Sequence, residues 1–173
     1  GAFVSFEVSR RTGNFFESFL YAGMAAAIVS TLIGIPALRI KGLLLTVTTL
    51  SFALVVPAYL LQQDFILGSG KNPGRPIIFH TALETGRQYY YVGLATLVFA
   101  LLLARNVRSG GIGRRLIAVR DNEDAARSFT IPAAAVKLQG FALAGFLAGI
   151  GGAMYGHSLS IISATSFPTK ASI

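Results

Sequence analysis

Cysteine is absent from the 173-residue chain, which excludes disulfides and thiolate metal ligation and leaves the redox compartment unread. Charge is also scarce: Asp, Glu, Lys and Arg make up 13% of the residues against 53% hydrophobic ones, and mean hydropathy is +0.63. So little polar surface cannot dissolve a globule of this length, so the chain belongs in a membrane. Acidic residues are the scarcer sign, seven against fifteen basic, for a net charge of +8. In a nucleic-acid binder the cations would share one face interleaved with aromatics. Here they lie mainly between apolar runs, so no nucleic acid is expected as a partner. No ionised residue falls at mid-depth in an apolar run; Glu17, at the mouth of the first, comes nearest. That argues against a carrier driven by protonation. The start of the chain, Gly1 to an apolar patch ending at Phe6, has no initiator Met, charged leader or cleavage site, and the sequence is read as a fragment.

Enzyme signals are missing on inspection. Gly68-Ser69-Gly70-Lys71-Asn72 begins like a phosphate loop, but Asn72 stands where Ser or Thr is required and Phe65 where the first Gly belongs. Gly156-His157-Ser158-Leu159-Ser160 ends in Ser where a nucleophile elbow needs Gly, and no strand precedes it. Asp121, Glu123 and Asp124 cluster without His or Cys at ligand spacing. No catalytic residue, metal site or cofactor is therefore expected. His157 reads as an interfacial or hydrogen-bonded residue just beyond the last span.

What the chain has is long charge-free runs. Crossing about 30 Å of hydrocarbon takes roughly 17 to 25 helical residues. Four runs qualify: 18–38, 42–63, 88–104, and one that begins at Leu138 and stays uncharged to Thr169. The last is too long for one span, so a helix over about 134–155 and a break around 156–160 are expected. Tyr89, Tyr90 and Tyr91 support the short third span as headgroup-level rings. The fold class expected is an all-α integral membrane protein, a polytopic bundle of transmembrane helices with about four spans in this stretch. Basic short loops stay cytoplasmic. Segment 105–139 carries seven basic residues, and the tight turn after the first span carries Arg39 and Lys41; alternating spans put both on one side. Segment 64–87 then faces outward, as does the start of the chain, against which Arg10 and Arg11 count.

Small residues carry a packing message, because lipid gives no hydrophobic drive for helix pairing and close backbone approach supplies the attraction. Gly145, Gly149 and Ala153 recur every four residues, with Ala144, Ala148 and Gly152 as a second row. Packing within the subunit, a subunit interface and a wall of the transport path are all open readings. Pro36 and Pro57 fall near span ends and favour a kink or stop. Thr46, Thr48, Thr49 and Ser51 put hydroxyls in the second span, where such groups bond back to their own helix or serve a ligand.

Within 105–139, Gly110, Gly111 and Gly113 break any helix descending from the third span, and residues 114–120 can form a short helix. Asp121 then reads as an N-cap, with Glu123 and Asp124 in the first turn and Glu123 paired to Arg127 at i,i+4. Ala125, Ala126 and Phe129 form a small apolar face, and Pro132 ends the element. So short a helix is unstable alone. It docks either on its own bundle or on a soluble partner.

Here the chain resembles a known family. Gly113-Arg114-Arg115-Leu116-Ile117-Ala118-Val119-Arg120-Asp121-Asn122-Glu123-Asp124-Ala125-Ala126 is similar to G-R-x-L-x-A-I-R-x-N-E-x-A-A-x-x-x-G-I, a pattern of permease subunits of ATP-binding-cassette importers for branched-chain amino acids and, in close relatives, urea or short amides. Upstream, Gly34-Ile35-Pro36-Ala37-Leu38-Arg39 and Thr49-Leu50-Ser51-Phe52 resemble the family's G-x-P-A-L-R and T-L-x-F. Downstream, Lys137-Leu138, Phe141 and the run from Ala148 through Tyr155 resemble its K-L-x-A-F and A-G-x-x-G-A-x-Y stretches. Ile162-Ser163 and Ser166-Phe167 resemble its I-S-P-x-S-F segment. The departures are Thr130 where the family has Gly, and Ala164-Thr165 in place of P-x. The likeness covers about 32–167 of a longer family chain, with helices missing at both ends.

The resemblance implies a transport subunit without its own ATPase site, in a plasma or bacterial inner membrane. Its implied partners are two cytosolic ATPases, a second permease and an extracytoplasmic substrate-binding protein. By position, Arg114, Arg120, Asn122, Glu123, Ala125 and Ala126 would couple to the ATPase, and Gly145, Gly149, Gly152 and Ala153 would pack helices. The turn-rich segment 68–76 would meet the binding protein or simply connect spans. A urea or short-amide permease, a secondary carrier or channel, and a purely anchoring subunit are the rivals. The substrate-binding residues are not legible.

Overall fold

A backbone in hydrocarbon must satisfy its own N–H and C=O groups, and apolar runs do so as helices. The computed structural model describes residues 1–12, 15–38, 47, 50–51, 55, 59, 77–78, 81–82 and 86–158. Among these, helix α1 spans Ala2–Thr12, α2 Phe15–Ala37, α3 Gly86–Ser109, α4 Gly111–Asp121, α5 Glu123–Ser128 and α6 Ala133–Ser158. A two-residue ladder pairs β1 (Ile77–Ile78) with β2 (Thr81–Ala82), antiparallel. Three of the described helices, α2, α3 and α6, are long and apolar enough to cross a membrane. The protein is an all-α polytopic membrane protein. The second expected span, with Thr46, Thr48, Thr49 and Pro57, lies outside the described residues apart from isolated positions such as Ser51.

The centre of the bundle is α2 against α6, antiparallel, with α1 packed on both. A Cβ at Gly34 would touch the Phe141 ring at 3.0 Å and Leu138 at 3.2 Å; one at Gly145 would meet the Ala26 carbonyl oxygen at 2.7 Å and the Ser30 Cβ. Further along, a Cβ at Gly149 would lie 2.6 Å from both the Ala22 carbonyl oxygen and the Ala26 Cβ. Removing side chains here lets the two backbones touch, which in lipid is the main source of helix attraction. The Ser30 hydroxyl adds an interhelical bond to the Phe141 carbonyl at 2.8 Å. Thr31 and Thr96 instead bond back to Ala27 and Val92, one turn earlier on their own helices.

Three boundaries differ from the sequence expectations. Helix α3 runs to Ser109, five residues past the apolar run, because Arg105 to Arg108 end the hydrocarbon match and not the helix. Helix α6 continues through Gly156 and His157 to Ser158, so the break expected at 156 does not occur there and the nucleophile-elbow pattern begins on helix. The opening residues form α1, whose Ala2, Ser5 and Phe6 are buried; they share one face at i, i+3 and i+4. Ser5 and His157 hydrogen-bond at 2.8 Å in the interior, which ties α1 to the end of α6.

Candidate functional site

The chain between α3 and α6 folds as a connected wedge. Gly110 makes the corner: its N–H bonds to the carbonyls of Asn106 and Val107 at 3.0 and 3.2 Å. Helix α4 then starts so close to the end of α3 that a side chain at Gly113 would enter the carbonyls of Val107 and Arg108. Gly111, by contrast, has nothing within 4 Å. Of the three glycines, Gly113 is the one this close approach requires.

Asn122, not Asp121, is the N-cap of α5. Its Oδ1 accepts from the Ala125 N–H at 3.0 Å, while its own N–H closes α4 on the Ala118 carbonyl at 3.1 Å. One residue thus ends one helix and begins the next, and removing such a cap costs about 1 kcal/mol. Asp121 is instead the last residue of α4, paired with Arg120 at 3.0 Å, both well exposed. The capping side chain is displaced by one position because the chain turns extended only at Asn122 (φ −155°, ψ 104°).

Helix α5 is held to α6 by charge and by packing. Glu123 accepts from Arg127 at 2.8 Å, the i,i+4 pair, and from Lys137 on the first turns of α6 at 2.5 Å. The hydrogen bond from Lys137, aided by the charges of Lys137 and Arg127 and only partly opposed by burial, holds the Glu123 carboxyl below its usual range. A carboxyl depressed by folding contributes its full stability above the unfolded pKa and loses it as pH falls through the folded value, so this link is intact at neutral pH and fails only in acid. Beneath it, Ala126 packs with Val119, Ala133 and Val136, flanked by Leu116, Ala118 and Ile131. Of the three residues expected to form one apolar face, Ala126 is buried, whereas Ala125 is exposed and Phe129 is 78% exposed. The face is split because α5 is one and a half turns long and only its middle reaches α6.

The end of α5 explains a departure noted in the sequence. The Thr130 N–H bonds to the Arg127 carbonyl at 3.0 Å and the Ile131 N–H to the Ala126 carbonyl at 3.2 Å, the double closure of a Schellman motif, with Ile131 packed near Ala126. That motif puts Thr130 at φ 59°, the left-handed region where the family pattern has Gly. A β-branched residue there costs about 1–2 kcal/mol, of which glycine would return part to its greater unfolded entropy. Thr130→Gly is therefore expected to leave the fold intact and slow amide exchange over 126–131 by a factor corresponding to up to about 1 kcal/mol, whereas Thr130→Ile gives no gain. Faster exchange in the glycine variant would refute this account of the turn.

The six residues singled out as coupling residues thus sit in different settings. Arg114, Arg120 and Ala125 are exposed, Asn122 caps, Glu123 bridges and Ala126 is buried. Sequence reasoning missed Lys137 and Val136 as their anchor on α6; the signal was available in Lys137 lying fourteen residues after Glu123, but only the turn at Thr130 brings the two together. On α6, Gly145, Gly149 and Ala153 face α2 or the interior, while a side chain at Gly152 would come no closer than 3.6 Å, to Ala2. No His, Cys, Asp and Glu group among the described residues could hold a metal.

A family model described as "Branched-chain amino acid transport system / permease component" matches residues 1–173. The high-affinity branched-chain amino acid transport system permease protein LivM of Escherichia coli K12 is 27% identical over 172 residues, 84% of this chain and 40% of the relative. LivM of Salmonella typhimurium LT2 is 26% identical over 174 residues, with the same shares. The chain spans about two-fifths of the length of these curated relatives. No solved structure matches it.

Proposed function

The chain belongs to the family of branched-chain amino acid transport permease components, and from that premise we propose that it is part of the membrane-spanning subunit of a binding-protein-dependent ABC importer. The subunit carries branched-chain amino acids inward across the plasma or bacterial inner membrane. ATP is hydrolysed by two cytosolic partner subunits, and a second permease and an external binding protein complete the assembly. The wedge of α4 and α5 faces the cytoplasm, as the seven basic residues against three acidic ones across 105–139 favour.

The observation that carries this reading is how α5 is mounted. A helix of six residues is too short to stand alone, yet here it is capped by Asn122, closed at Thr130 and fastened to the start of spanning helix α6 through Glu123, Lys137 and Ala126. Its outer side presents Ala125, Arg127 and Phe129. A push on that side is passed to α6 because the inner side is packed, and tilting a spanning helix is a route to alternating access.

The test is uptake of leucine into vesicles holding the full-length permease with its partner subunits. Uptake is expected only with ATP inside the ATPase compartment and with the binding protein on the opposite face. Leucine uptake without nucleotide would make the protein a secondary carrier or channel. Competition by urea or acetamide in place of isoleucine and valine would move it to the amide permeases. A cysteine placed at Phe129 should react with an impermeant maleimide from the cytoplasmic side, and protection by the assembled ATPase would identify the docking face.

A further inference from the structure

Beside the wedge lies an open groove of about 1000 Å³, between the last turns of α3, the apolar side of α4 and the first half of α6. Its walls are aliphatic, with Leu103 and Val107 on α3, Leu116 on α4, and Leu143 and Leu147 on α6. Its charged lining is of one sign: Arg108, Arg120 and Lys137. These lie towards one end, since Arg108 is in the last turn of α3, Arg120 in the last turn of α4 and Lys137 in the second turn of α6.

The depth of the groove says what fits. From Lys137 to Leu147 the rise along α6 is about 15 Å, half of a hydrocarbon core of about 30 Å. The slot is therefore one leaflet deep, apolar where acyl chains lie and cationic where headgroups lie. Asp121 and Glu123 partner Arg120 and Lys137, but no carboxylate among the described residues reaches Arg108. A guanidinium free to fork onto a phosphodiester is suited to a phosphate, and basic pockets between spanning helices are a known setting for anionic headgroups.

We infer that this groove binds one anionic glycerophospholipid of the leaflet that surrounds the wedge, with its phosphate on Arg108 and its chains along Leu143 and Leu147. Bound there, the lipid bridges α3 to α6, which otherwise touch little, through Tyr89 on the Met154 carbonyl and Met154 near Gly93. The inference needs the chain to cross the membrane but does not depend on ATP coupling or on the solute carried.

The full-length permease, purified in detergent and followed by native mass spectrometry, is titrated with dioleoyl phosphatidylglycerol or dioleoyl phosphatidylcholine. One phosphatidylglycerol per chain should be retained in preference to phosphatidylcholine, and Arg108→Ala should weaken it about fivefold, the effect of one lipid-facing charge. Arg115→Ala, which removes an exposed charge outside the groove, should change nothing. Leu143→Trp should lower retention of both lipids, with the thermal midpoint showing that the variant still folds. A photoreactive benzoylphenylalanine at Leu143 should crosslink to lipid. Equal binding of the two lipids, equal losses at Arg108 and Arg115, or a crosslink from position 143 to protein instead of lipid would each overturn the inference.

Discussion

Gly149→Leu will separate α2 from α6 and cost about 3 kcal/mol or more, the upper end of overpacking. The atoms that a side chain would meet are the Ala22 carbonyl oxygen and Ala26 Cβ at 2.6 Å and the Gly23 Cα at 2.9 Å. None can rotate away, because all belong to backbone or to a Cβ, so the whole of α2 must retreat. Retreat also strains the Ser30 bond to Phe141 and the contacts at Gly145 and Gly34 on the same face. Gly151, two positions on, has nothing within 4 Å. Gly151→Leu should therefore stay within about 0.5 kcal/mol, or gain slightly from better helix propensity. Unfolding of the two full-length variants in mixed micelles by added SDS makes the comparison. Equal shifts at the two positions would show that α2 and α6 are not packed through this glycine face.

Much of this packing is legible in the sequence, and the limits have physical causes. Four-residue spacing of Gly145, Gly149 and Ala153 marks one helix face, since residues at i and i+4 lie one above the other. The parallel row of Ala144, Ala148 and Gly152 carries the same spacing with a different outcome: Ala144 and Ala148 are exposed. Small residues permit close approach without requiring it, and only the position of α2 decides which row is used. The spans are readable by length and charge, but hydropathy measures the extent of hydrocarbon and not of hydrogen-bonded helix. Helix α3 therefore outlasts its apolar run, to Ser109. Helix α1 is hidden because an apolar patch ending at Phe6 and followed by Glu7, Arg10 and Arg11 is too short to read as a span, and its burial depends on a site made by α2 and α6.

The wedge shows the same division. The i,i+4 pair of Glu123 and Arg127 is a local property and is visible in the sequence. The bridge from Glu123 to Lys137 is not, because it depends on the chain reversing at Thr130, a residue that sequence statistics would keep out of the left-handed region. Once that turn is known, Glu123 changes from a charge offered to a partner into a strut inside the subunit. The side chains that α5 leaves exposed then include Ala125, Arg127 and Phe129.

That reassignment gives the second large effect. Glu123→Lys would place three cations, the new lysine with Arg127 and Lys137, where a carboxylate now joins two, and α5 would be pushed off the start of α6. Under the importer function proposed above, ATP-driven uptake should fall about tenfold or more, the loss expected when a coupling free energy between two sites is removed, while insertion and ATP hydrolysis by the proposed partner subunits persist. The discriminating variant is the swap, Glu123→Lys with Lys137→Glu. If the bridge acts within the subunit, the swap re-forms an opposite-charge pair across the same two positions and should recover a large part of the lost uptake. If Glu123 instead meets the ATPase directly, the swap leaves a lysine facing the partner and uptake stays as low as in Glu123→Lys alone. Phe129→Ala is the complementary probe: that side chain is 78% exposed and makes no contribution to the buried cluster around Ala126. Its loss should weaken binding of the ATPase with little change in the stability of the permease, whereas Glu123→Lys should loosen the joint between α5 and α6, seen as faster amide exchange over 123–137, with the ATPase still bound.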